Sequence, residues 1–353
     1  MRASALVVML GGCTGDPTGE TATGGQTTGG STTGAASTGP TDTGAGSTGM
    51  SEGAWSIGLE LGTDKGALYS VWGPAPDEVY AVGGQGVGAD STGVMLRWDG
   101  TTWTEVALPA GTRRLHWVAG VGEAMWTVGE AGTSLRRSGG AWTEVATGTD
   151  VSLWGIWGAS EAEIWTVGGD GFTGAPVLLR YDGAAWSPGA APPLPPESHA
   201  LFKVWGSAAD DVTAVGDYGV AIHYDGAAWT ATETGSIADL ISVNGHGVEH
   251  LAVGGRANAR VARWDGGTWA GATLAKPGLS GVWVDDVGVA TAVGSSGQIL
   301  RIAPGSLEAT DEESPTFLVL HAVFGFGKGP RFAVGGNLTG QPPYVGVIVQ
   351  HPG

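Results

Sequence analysis

From residue 54 onward the chain is a succession of short apolar runs separated by Gly, Asp, Asn and Pro. No run of ten residues or more carries the 3.6-residue period of an amphipathic helix, and β-branched and aromatic residues fill the runs, as strands require. The runs recur in a fixed order. LYSVWGPAPDEVYAVGG is echoed by LWGIWGASEAEIWTVGG and by LFKVWGSAADDVTAVGD. A glycine following a valine marks one point of each unit: Gly83, Gly129, Gly168, Gly216, Gly254, Gly294 and Gly335. The first run of each unit is LYSVW (68–72), LHWVA (115–119), LWGIW (153–157), LFKVW (201–205), LISVN (240–244), LSGVW (279–283) or LHAVF (320–324). A VYAVG-type run follows, then a VMLRW or VAIHY type, then one that opens on the tryptophan of TTWTEV. Four strands in about forty residues make one propeller blade. The pattern therefore predicts an all-β, seven-bladed β-propeller with four-stranded blades over residues 54–353.

The hairpin between third and fourth strands is the sharpest local signal. It carries Asp99-Gly100, Asp182-Gly183, Asp225-Gly226 and Asp265-Gly266, a pair suited to a tight turn because glycine accepts a positive φ. Four residues after each aspartate stands a tryptophan: Trp103, Trp186, Trp229 and Trp269, with Trp142 in the same place after Gly139-Gly140. A second aromatic set, Trp72, Trp157, Trp205, Trp283 and Phe324, closes the first strand. Their strict place in the repeat marks both sets as packing between blades rather than as sugar-stacking platforms. The last unit stops after its third strand (345–353), whereas AWSIGLE (54–60) precedes the first unit and matches an outer strand. The N-terminal segment is thus expected to supply the outer strand of blade seven, which closes the ring and removes its exposed edges.

Composition changes the picture mainly at the N-terminus. Glycine is 66 of 353 residues, far above the usual share of about 7 %. Part of this excess lies in residues 14–53, a run of Gly, Thr, Ser and Ala with no aromatic, which cannot bury enough surface to offset its ordering entropy. It reads as a flexible tether. The net charge is −18 with only 16 Lys and Arg, so no basic patch exists to neutralise a phosphate backbone and nucleic acid is not an expected partner. The one cysteine, Cys13, follows a single arginine, a short apolar run (3–10) and Gly11-Gly12. That run is too short to span a bilayer as a helix.

Leu10-Gly11-Gly12-Cys13 resembles the lipobox of bacterial lipoprotein signal peptides. The resemblance implies a signal peptide over residues 1–12, cleavage before Cys13, acylation of its thiol, and a lipidated tether over residues 13–53. Thr14, in place of aspartate, implies delivery to the outer membrane. Such Thr-rich tethers resemble those of lipoproteins from myxobacteria and their relatives. The repeats are similar in look to Kelch, sialidase-repeat and Ycf48-like propellers, and depart from each narrower pattern. Double glycines such as Gly83-Gly84 and Gly335-Gly336 match Kelch without its aromatic spacings. The Asp-Gly-x-x-Trp hairpin is one residue shorter than a sialidase Asp box, and Trp98-Asp99 lacks the partner Gly-His of WD repeats.

Function is expected where the repeat varies. Loops between strands two and three share one face with the links from one blade to the next. The loops at 83–93, 168–176 and 335–343 are long, as is the Pro-rich link 187–200, while 129–132 and 294–297 are minimal. Variable loops on a constant scaffold are where ligands usually bind. The candidates on this face are Gln85, Asp90, Asp170, Phe172, Asp217, Tyr218, Arg256, Asn258, Asn337 and Gln341. On the opposite face, carboxylates recur at the turn between strands one and two. Asp77, Glu163, Asp210, Asp211, Asp285 and Asp286 are weak calcium candidates, although Asp and Glu also suit a solvated turn. No other cofactor is expected. No G-x-S-x-G elbow occurs, arginines are scattered, and the only closely spaced histidines, His246 and His250, lie in β context. The sequence therefore reads as a non-catalytic, monomeric envelope module that recognises a protein or glycan and meets the membrane through its lipid anchor. The alternative is a polysaccharide hydrolase or lyase whose carboxylates come from several blades, since such pairs need proximity rather than spacing.

Overall fold

The computed structural model describes residues 53–338 and 341–353; residues 1–52, with Cys13 and nearly all of the tether, lie outside the described residues. Seven antiparallel four-stranded sheets form the blades. Their inner strands are Ala67–Ala75, Leu115–Val121, Leu153–Ser160, Leu201–Ala208, Leu240–His246, Leu279–Val284 and Val319–Gly325. Six blades are built in simple meander order. The seventh is assembled from both ends of the chain: Ser56–Leu61 pairs with Gly346–His351, from Ser56↔Gln350 to Leu61↔Gly346.

The post-valine glycines have a common physical cause. Each faces the leucine at the first or second position of the inner strand, as in Leu68↔Gly83, Leu201↔Gly216 and Leu320↔Gly335. Just after that leucine the register shifts by a bulge in all seven blades. The bulge brings the preceding carbonyl against the glycine: a Cβ on Gly216 would stand 2.2 Å from the Ala200 oxygen, and one on Gly335 would stand 1.8 Å from that of Val319. Only a residue without Cβ fits.

The hairpins behave as the Asp-Gly pairs predict. Gly100 has φ +91°, and Asp99 Oδ1 accepts the amides of Thr101 and Thr102 at 2.9 and 2.8 Å; Asp182, Asp225 and Asp265 do the same. The following tryptophan packs across the blade boundary. Trp186 meets Trp126 edge-on at 5.8 Å, and Trp229 meets Trp165 at 5.1 Å. The inner aromatic set also joins blades, with a glycine of the next blade making room. Cβ atoms on Gly120, Gly206, Gly245 and Gly325 would strike the indoles of Trp72, Trp157, Trp205 and Trp283. The ring is locked by Trp55, 7 % exposed, which packs with Val293, Val347 and Val349. Its Nε1 donates to Glu312 Oε2 at 2.7 Å, and the Arg331 guanidinium stands 5.1 Å from its ring.

Candidate binding face

The loop face is built from two kinds of turn. Blades two, four and six use a compact G-x-x-G turn between strands two and three, with Ala131, Tyr218 and Ser296 at φ +53°, +52° and +59°. The first two are strapped down by a hydroxyl from the following link, Thr147 Oγ1 donating to Gly132 O and Thr234 Oγ1 to Gly219 O, both at 2.8 Å, while in blade six Ser314 Oγ donates to Thr316 O within the link itself. The long loops belong to the odd blades. The blade-one loop is clasped from the side by buried Arg114, which donates to Gly86 O at 2.7 Å and pairs with Glu130 at 3.3 Å. Arg113 donates to the carbonyls of Gly88 and Ala89. The loop at 168–176 is tied to the 187–200 link by His199 Nδ1 and Gly174 O at 2.8 Å.

Two hollows of about 810 and 750 Å³ adjoin on this face over blades one and two. They share Pro109, Gly111, Thr112 and Arg113 as a common ridge, and Ala110 lines the second. Hydroxyls of Ser91, Thr92, Thr133, Thr147 and Thr149 line them, with Asp90, Glu105, Glu144 and Asp150 as acids and Arg113 as the base. Ser91 Oγ is buried without a partner. Together the hollows form a polar trough able to exchange hydrogen bonds along an extended chain.

The candidates separate into surface groups and clasps. Asp90, Phe172, Tyr218, Asn258 and Gln341 are exposed, Phe172 at 57 %. Asp170 orders its own loop by accepting the amides of Phe172 and Thr173. Arg256 Nε donates to Asp239 at 2.5 Å. Asp217 is buried, with Oδ1 accepting Ser198 Oγ at 2.6 Å and Oδ2 accepting the His199 amide at 2.8 Å, so it anchors the long link from beneath. Gln85 bridges blades one and seven through the Thr63 carbonyl and the main chain of Tyr344. Asn337 Oδ1 accepts the Val345 amide at 2.6 Å and shapes the 335–343 loop, of which 339–340 lie outside the described residues.

The opposite-face carboxylates are dispersed. Glu163 pairs with Arg180 at 3.2 Å, and Asp285 accepts the amides of Val287 and Val289. Asp77, Asp210 and Asp286 are exposed, each on its own turn. Among the described residues, no group of three or more His, Cys, Asp or Glu side chains is placed to hold a metal ion. Asp211 instead joins two histidines, His223 Nε2 at 2.9 Å and His250 Nε2 at 3.1 Å. Burial alone would raise its pKa, but hydrogen bonds from Ser207 and His223 and the charge of His250 bring it below the ordinary carboxylate value. His250 Nδ1 meets Thr213 Oγ1 at 2.7 Å. This hydroxyl–imidazole–carboxylate line is structural, because Thr213 and His250 are 1 % and 0 % exposed and no substrate reaches them. His246 is exposed.

Sequence reasoning missed what fills the channel. The bulge residues Tyr69, His116, Trp154 and His321 contact one another in turn, with His116 stacked on Trp154 at 4.0 Å. Below them Lys203 lies 3 % exposed, its Nζ donating to Trp154 O at 2.7 Å and resting 4.3 Å from the Trp117 ring centre. Burial pulls its pKa down to about 7. Trp117 and Lys203 occupy the same repeat position as Ser70 and Gly155, so the irregularity itself was the available signal.

No family model and no curated protein matches the chain. Solved structures do. The chain is similar to YCF48 bound to a D1 peptide, at 14 % identity and TM-score 0.62 over 86 % of this chain and 98 % of that one. It is likewise similar to YCF48 from Cyanidioschyzon merolae, at 15 % identity and TM-score 0.61 over 85 % and 99 %. At such identities the likeness establishes the architecture: the chain has the fold of the YCF48 propellers.

Proposed function

We propose that the chain is a non-catalytic module that binds a protein partner in extended conformation across the loop face. The observation that carries this reading is the double trough over blades one and two, walled by clasped loops and lined by hydroxyls and main chain. Such a lining suits a peptide backbone, which needs alternating donors and acceptors. That one of the similar propellers holds a D1 peptide supports the reading. The exposed loop residues Asp90, Phe172, Tyr218, Asn258 and Gln341 would extend the contact beyond the trough. A glycan with several hydroxyls would meet the same lining. We place the module in the bacterial cell envelope as a monomer, an outer-membrane lipoprotein held by acylated Cys13 and the 13–53 tether, on the strength of the lipobox-like sequence. Mass spectrometry of the mature N-terminus in a bacterial host tests the anchor. A lipidated Cys13 is expected, and an intact Met1 or a free thiol would overturn it.

The binding claim is tested by panning a random peptide display library against the full chain. Affinity of the selected peptides should fall at least tenfold in Ala110→Trp, which fills the trough beside the ridge. It should be unchanged in Ala184→Trp on the opposite face. Selected peptides indifferent to Ala110→Trp would refute the site.

A further inference from the structure

At the other end of the channel, away from the loop face, lies a cavity of about 340 Å³. It is formed where the inner strands end, and its large side chains are Trp72, Trp117, Trp157, Trp205, Trp283 and Phe324. Six aromatic side chains line this small volume, one from each of the seven inner strands except that of Asn244. Apart from the indole N–H groups, the one hydrogen-bonding side chain in the lining is Asn244, and its Oδ1 is taken by the Val284 amide at 2.8 Å.

The turns that follow these strands directly surround this end of the channel, and they are acidic. Asp77, Glu123, Asp210 and Asp286 are exposed there and have no ion-pair partner among the described residues. Lys328 is the basic residue of the same set of turns. An acidic mouth over an aromatic interior attracts a cation twice. The field of the carboxylates concentrates it, and ring quadrupoles bind it once its water is shed.

We propose that this cavity is a binding site for an organic cation, an alkylammonium or guanidinium group entering from the acidic face. A sugar is a poorer occupant, because its hydroxyls need several directed partners and the lining offers few. A neutral apolar group would gain nothing from the carboxylates. The site lies on the face opposite the peptide trough, so it stands or falls independently of that reading.

The experiment titrates the full chain with choline and with its neutral isostere 3,3-dimethylbutan-1-ol, following tryptophan fluorescence and heat. Agmatine, which carries both an ammonium and a guanidinium, separates a side-chain-like occupant from a small quaternary amine. Saturable binding of choline or agmatine, at least tenfold tighter than the alcohol and weakened by salt, is expected. Trp205→Leu should reduce it at least tenfold. Because that variant also loses the packing of Trp205 on Gly245, the exposed triple variant Asp77→Asn, Asp210→Asn, Asp286→Asn is the second arm. It should keep the wild-type melting temperature and weaken cation binding several-fold at low salt. Equal affinity for choline and the alcohol, no binding of either cation, or a triple variant that binds as wild type would each overturn the proposal.

Discussion

Replacing Trp55 by alanine should loosen the whole ring, although the residue lies at the very start of the described chain. Its side chain is 7 % exposed and sits between the closing strand and blade six, against Val293, Ile299, Val347 and Val349. A tryptophan of this kind buries about 150–250 Å², worth roughly 4–6 kcal/mol at 25 cal/mol per Å² as an upper bound. Large-to-small core substitutions give about 3–5 kcal/mol by direct measurement, and the two ranges overlap. Trp55→Phe separates packing from polarity. It keeps most of the apolar contact and loses only the 2.7 Å hydrogen bond to Glu312, which retains Arg331 at 3.3 Å. A hydrogen bond to a charged group is worth about 1.5–3 kcal/mol, and the low end applies because Glu312 keeps a partner. Urea titration of both variants, with tryptophan emission and far-ultraviolet dichroism followed together, reads these differences. Deleting residues 54–60 should destabilise at least as much as Trp55→Ala, while deleting residues 14–52 should leave the midpoint unchanged. A Trp55→Ala variant within about 0.5 kcal/mol of wild type, the ordinary range for a surface substitution, would refute closure by the N-terminal strand.

Other expectations rest on the same geometry. Gly216→Ala should destabilise by about 1–3 kcal/mol or more, because its Cβ meets the Ala200 carbonyl at 2.2 Å. Gly267→Ala, whose Cβ finds only Asp265 Oδ1 at 3.7 Å, should stay close to wild type, and equal denaturation midpoints for the two would contradict the bulge. Lys203→Met should stabilise the fold at neutral pH. The Lys203 pKa falls from 10.5 to about 7 on folding, so the unfolded chain holds a proton that the folded chain releases between those values, and stability rises with pH across that window. Below pH 7 the full penalty applies, on the order of 3–5 kcal/mol, and it vanishes above about pH 10.5. The gain from Lys203→Met in thermal melts should therefore shrink from pH 7 to pH 10, and a gain independent of pH would show that Lys203 keeps an ordinary pKa.

The architecture was legible because it repeats. Seven post-valine glycines, four Asp-Gly hairpins and the outer-strand tryptophans each have a local cause that recurs, and the displaced AWSIGLE strand was recognisable as the missing member of the same series. The bulge that explains the glycines was not legible, because it is a relation between Leu201 and Gly216 across a strand pair rather than a property of either. The loop face was legible as a set of loops, and the structural roles of its residues less so. Asp217, Gln85 and Asn337 look like surface polar groups in the sequence, yet their side-chain hydrogen bonds hold neighbouring loops together. The trough itself forms at the ridge 109–113, a link of ordinary length that no repeat comparison singles out. The turn carboxylates do not gather into a metal site, because each belongs to a different blade or already has a partner on its own blade. Trp117 and Lys203 break the repeat at one position and fill the channel by meeting across blades.

Recognition across the loop face is tested most directly by hydrogen–deuterium exchange on the full chain, with and without a peptide selected from the display library. Protection should concentrate in residues 89–94, 105–113, 131–133 and 146–150, the walls and ridge of the trough. Protection confined to the hairpins at 99–102, 182–185, 225–228 and 265–268, with the loop face unchanged, would contradict it.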